Sequence, residues 1–117
     1  MLQFEGEHSQ VIDIEVYETD DGHMPFREWV ERLRAVRAQA QIVVRLNRVR
    51  QGNLGDYRAV GQGVSELRIS HGPGYRVYFG RQGNTLVIIL CGGDKSSQER
   101  DIVLAQRYWK DYLRRTK

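Results

Sequence analysis

The stretch SELRISHGPGYRVYF, Ser65 to Phe79, alternates apolar and polar residues on both sides of a turn-forming HGPG, His71 to Gly74. A period of two reads as a half-buried strand, so the segment predicts two strands joined by that turn. Apolar side chains must share a face, which sets Leu67 and Ile69 beside Val77 and Phe79. The opposite face then gathers Arg68 and Ser70 from one strand with Arg76 and Tyr78 from the other. Two arginines and a tyrosine on one polar sheet face form the sharpest constellation in the chain.

Downstream, Arg81-Gln82-Gly83-Asn84 makes a second turn into Leu86–Leu90, a run apolar on both faces and so a central strand covered on both sides. Then comes CGGDKSSQERDI, Cys91 to Ile102. Its glycines suit a tight turn, and Ser96 with Glu99 three positions on reads as a capping box opening a final helix. Ile102, Ala105, Trp109 and Tyr112 mark that helix's apolar stripe. Upstream, Val11–Tyr17 alternates at Ile12, Ile14 and Val16, predicting a half-buried strand. Pro25 starts a helix carrying Phe26, Trp29, Val30, Leu33 and Val36 at helical spacing. A second helix turns Ile42, Val43, Leu46 and Val49 inward and stops at Gly52. The order β-α-α-β-β-β-α is α+β: a mainly antiparallel sheet packed on an N-terminal helical hairpin, plus a C-terminal helix.

The chain has 117 residues, of which 40% are hydrophobic. That suits a single domain over 1–117 with one core, residues 1–10 forming a mobile polar lead-in. The run Leu86–Cys91 is too short to cross a bilayer, and no segment reads as a signal peptide. One cysteine excludes an internal disulfide and agrees with a cytoplasmic setting. The net charge of +3 hides a split, because residues 1–25 carry seven acids and no Lys or Arg. The remaining chain holds all 18 bases against 15 − 7 = 8 acids, a balance of +10. Such a body favours a polyanionic partner, and arginine, the commoner base here, grips phosphate bidentately.

Strand, glycines, Lys95 and Ser96, then a helix, resembles the layout of a phosphate site. It lacks the paired glycines of the nucleotide-hydrolase loop, so the expectation is an anion contact at a capped helix start. Ser96 and Ser97 are candidate phosphate ligands there, and Lys95 stands beside them. Arg45 and Arg48 on the second helix are candidate RNA contacts, or simply a solvated face. No pair of histidines has metal-ligand spacing, so neither metal nor cofactor is expected. Trp29 and Trp109 fall in the apolar stripes and read as core.

Three ordered motifs then carry a resemblance. Ser65-Glu66-Leu67-Arg68, Gly72–Phe79 and Gly92–Gln98 with Asp101-Ile102 resemble the HigB-like addiction-module killer proteins of the RelE/ParE toxin superfamily. Pro25–Trp29 and Gly52–Asp56 match as well, so the likeness runs from about Val11 to Tyr112. It implies a RelE-like α+β fold and a type II toxin neutralised by a small antitoxin that often carries a helix-turn-helix. It further implies metal-independent cutting of mRNA on the ribosome, which blocks translation. The superfamily's basic residues match Arg68, Arg76 and Lys95: Arg76 and Lys95 would stabilise charge during cleavage while Arg68 positions RNA. Tyr78, Asp101, His71 or a ribosomal group remain open as the proton carrier. Members resembling ParE inhibit DNA gyrase instead, and a non-toxic binding module is the third possibility.

Overall fold

A computed structural model of the chain describes residues 11–116. The predicted lead-in, 1–10, lies outside them. Five strands form one mixed sheet in the order β1-β5-β4-β3-β2: β1 (Asp13–Val16), β2 (Tyr57–Gly61), β3 (Val64–Ile69), β4 (Tyr75–Gln82) and β5 (Leu86–Asp94). Only β1 pairs in parallel, with β5; the other neighbours are antiparallel. Helices α1 (Pro25–Arg32) and α2 (Val36–Arg50) lie on one face, and α3 (Gln98–Arg115) on the other. The protein is therefore α+β, with the sheet between two helical layers.

The predicted alternation puts each layer in place. Leu67, Ile69, Val77, Phe79, Val87 and Ile89 face α1 and α2, where Phe26, Ile42 and Val49 cover them. Val64, Tyr78, Ile88 and Leu90 face α3, beneath Ala105 and Trp109. Strand β5 is thus covered on both faces, although β4 holds the middle of the sheet. Helix α2 ends as expected: the Gly52 amide bonds to the Val49 carbonyl and the Asn53 amide to the Arg48 carbonyl, with Gly52 at φ 90°.

Val36 and Val43, expected on the inward stripes, are exposed, and α1 ends at Arg32, short of Val36. Three further readings change. Strand β2 was not expected: its side chains are almost wholly exposed, so it has no burial alternation to betray it. It is held by pairing to β3 through a two-residue turn in which Gln62 (φ 59°) and Gly63 (φ 82°) are both left-handed. Second, Gly92 and Gly93 continue β5 instead of turning. They are glycines because of what lies on them: a Cβ on Gly92 would sit 2.3 Å from the Trp29 ring, and one on Gly93 1.9 Å from the Asp101 carboxylate. Third, the cap before α3 is not Ser96 with Glu99. Asp94 accepts from the Ser96 amide at 2.8 Å while the Ser97 hydroxyl accepts from the Asp94 amide at 3.3 Å, two residues earlier than predicted. Trp29 and Trp109 are packing residues, as expected; Trp109 covers Gly80 and Gly63.

Candidate functional site

The β3–β4 register pairs Arg68 with Arg76 and Glu66 with Tyr78, so the predicted polar face is reduced to one end of a sheet face that α3 otherwise covers at Val64 and Tyr78. It leads at its open end into a hollow of about 540 Å³. Asp56, Arg68, His71, Gly74, Arg76 and Lys95 are among its walls. The turn that joins β3 to β4 and the single 3-10 turn Lys95–Ser97 bring these side chains together from four segments. Arg68, Arg76 and Lys95 therefore converge, as the sequence predicts, and His71 joins them.

Each cation is held differently. Lys95 is exposed and has no ion partner among the described residues. Arg68 is half-exposed and pairs with Asp56 at 3.2 Å, so it is aimed but can exchange partners in water. Arg76 is mostly buried, with only 12% of its side chain exposed. Its Nη1 donates to the Gly74 and Tyr75 carbonyls at 3.2 and 3.4 Å, and its Nε faces Glu66 Oε1 at 3.7 Å. Gly74, at φ 80°, adopts a conformation that favours glycine, and a Cβ there would meet Arg76 Nη1 at 3.3 Å.

Glu66 was missed by the sequence assignment. Its carboxylate is fully buried on the sheet's polar face, and three elements supply its partners: Arg58 of β2 at 3.1 Å, Gln98 of α3 at 2.9 Å and Arg76 of β4. The available signal was register alone, since Glu66 stands two residues before Arg68 and so on the same face.

Five assigned residues take other roles. Tyr78 has no accessible surface and cannot touch a substrate; burial and the Glu66 carboxylate push its phenol well above the usual range. Asp101 lies across the Lys95–Ser97 turn, outside the hollow. It lines a larger cleft of about 880 Å³ between α1 and α3. Burial raises its carboxyl above the usual range, partly offset by the Ser97 hydroxyl and Arg100. Ser96 and Ser97 spend their hydroxyls on Asp94 and Asp101, and the Asp94 carboxylate occupies the Ser96 amide. The predicted phosphate contact at that helix start is thereby already filled by a carboxylate from the chain itself. Arg45 is structural: its guanidinium donates to the carbonyls of Leu54, Asp56 and Arg68, lacing the loop after α2 to the end of β3. Arg48 is exposed on α2 and does not line the hollow.

Among the described residues, no group of three His, Cys, Asp or Glu could hold a metal ion, and no helix is long and apolar enough to cross a membrane. The Cys91 thiol is buried and pushed up to about 12 by desolvation, which leaves it a poor nucleophile.

Over 83 residues the chain is 48% identical to an uncharacterized protein of Haemophilus influenzae, a match covering 71% of this chain and 84% of that protein. No family model matches the chain.

Proposed function

We propose that this chain, which belongs to one family with that Haemophilus influenzae protein, is the toxin of a type II toxin–antitoxin module and cuts mRNA on the ribosome. The carrying observation is the convergence of Arg68, Arg76 and Lys95 on one hollow that a polyanion can enter. The resemblance of the three motifs to RelE/ParE toxins supports the same reading, with the RelE-like fold as part of it.

In the proposed reaction a ribose 2′-hydroxyl attacks the adjacent phosphorus, the bond to the next nucleotide's 5′-oxygen breaks, and the products are a 2′,3′-cyclic phosphate and a 5′-hydroxyl. Negative charge grows on the phosphoryl oxygens, where the Lys95 ammonium and the free edge of Arg76 stabilise it. Arg68 exchanges Asp56 for a phosphate and holds the RNA in register. Of the proton carriers left open by the sequence, His71 is the side chain on the hollow's wall, and an imidazole can both accept and donate a proton. Arginine, always protonated, cannot serve as the base. Asp56, the carboxylate on the same wall, is paired with Arg68 until RNA displaces it, so the ribosome must arrange the RNA for attack. The partner is a small antitoxin whose acidic segment covers the hollow or blocks ribosome entry, with charge complementarity speeding association. The cytoplasm is the setting this target requires.

Controlled expression with genome-wide mapping of mRNA 5′ ends tests the proposal. Growth arrest with new ends inside translated frames, reversed by a neighbouring small gene, is expected. Normal mRNA ends together with trapped gyrase–DNA breaks overturn it in favour of a gyrase poison.

A further inference from the structure

We infer that Glu66 is the positioning residue of the hollow: it acts only through Arg76, by fixing which edge of that guanidinium faces the substrate. The inference rests on the proposed ribonuclease reading for its kinetic arm, and on geometry alone for its structural arm.

A guanidinium has five N–H donors in one plane, so constraining two edges dictates the third. In Arg76 the Nε is buried and makes no hydrogen bond among the described residues, and Glu66 Oε1, 3.7 Å away, is the carboxylate that answers its charge. The Nη1 edge is taken by the Gly74 and Tyr75 carbonyls. Nη2 makes no hydrogen bond among the described residues, and Arg76 is among the walls of the hollow. This is the edge left for a phosphoryl oxygen.

The carboxylate that sets this arrangement is itself fixed. Arg58 and Gln98 hold Glu66 from the edge strand and from the first residue of α3, and Tyr78 walls it from water on the same sheet face. A fully buried carboxylate is costly unless its charge is answered, and here two arginines answer it. An apolar residue at position 66 would pack between Val64 and Tyr78 without that cost. Retention of a charge at this point therefore has its physical rationale in Arg76, the one partner of Glu66 that reaches the hollow.

Glu66→Gln tests this, since the amide keeps the shape and can still accept from Gln98. Two readouts are made on the folded protein. The first, independent of any activity, is the ¹⁵N–¹H signal of Arg76 Nε. Slow hydrogen exchange is expected in the wild type, with at least tenfold faster exchange in Glu66→Gln. The second is single-turnover mRNA cleavage on ribosomes. Glu66→Gln should lose tenfold or more in rate with little change in ribosome affinity. The double variant Glu66→Gln/Arg76→Ala should be no slower than Arg76→Ala alone. Glu66→Asp, which keeps the charge, should recover part of the rate and covers the case in which the amide variant fails to fold. Unchanged Arg76 exchange in Glu66→Gln, or losses that multiply in the double variant, would overturn the assignment. If the NMR result holds while no variant or wild type cuts mRNA, the ribonuclease reading fails and the positioning role stands.

Discussion

Replacing Arg76 with alanine should separate the chemistry of the hollow from the stability of the fold. The side chain contributes two long hydrogen bonds to Gly74 and Tyr75 and one side of the contact with Glu66. Orphaning a buried charge costs about 3–5 kcal/mol, but Glu66 keeps Arg58 and Gln98, so the expected loss is nearer to about 2 kcal/mol. For a chain of this size that lowers Tm by roughly 4 °C per kcal/mol, or about 8 °C. Even if the domain began at about 5 kcal/mol, the variant would remain roughly 99% folded at 25 °C. Loss of one charge-stabilising donor costs about 10²–10³ in rate, far more than that unfolded fraction explains. The assay is single-turnover cleavage of mRNA on ribosomes, with circular dichroism on the same preparation. A folded Arg76→Ala protein that cuts at the wild-type rate would remove Arg76 from the chemistry. A rate loss matching only the unfolded fraction would do the same.

Asp101→Asn should leave cleavage intact, because the carboxyl faces the other cleft. Its folded value is raised, so the native state holds the proton more tightly than the unfolded chain, whose value is about 3.9. Stability therefore falls as pH rises from that value through the raised folded one. Urea unfolding across the acid range should show the Asn variant gaining on the wild type through that window, and a pH-independent difference refutes the cause. Gly92→Ala forces a Cβ into the Trp29 ring and should cost about 1–3 kcal/mol or more by denaturant melt, whereas an unchanged midpoint would mean the ring has room to move. Arg45→Ala should be destabilised without altering the salt slope of ribosome binding. Arg48→Ala should keep its Tm and lose about one unit of that slope if Arg48 meets RNA phosphate.

The alternation in Ser65–Phe79 carried most of what was legible. It set the hairpin register, and with it the meeting of Arg68 and Arg76. Burial periodicity also placed α1, α2 and α3, because each shows the sheet an apolar stripe. Strand β2 escaped since an exposed edge strand is held by backbone hydrogen bonds, which carry no side-chain pattern. The glycines at 92 and 93 were read as a turn, yet their reason lies with Trp29 and Asp101, which are far away or later in the chain. Glu66 was hidden for a similar cause: a glutamate in an alternating strand reads as solvated until α3 and β2 are seen to cover it. Arg45 looked like a phosphate ligand because its carbonyl partners come from a loop and from β3, not from its own helix.

The most direct test of the account uses purified protein, ribosomes programmed with a short defined mRNA, and analysis of the fragment ends. The account predicts cleavage only when ribosomes are present, leaving 2′,3′-cyclic phosphate and 5′-hydroxyl ends, with the rate lost in Arg76→Ala. Intact mRNA after incubation with an excess of folded wild-type protein over ribosomes would contradict it.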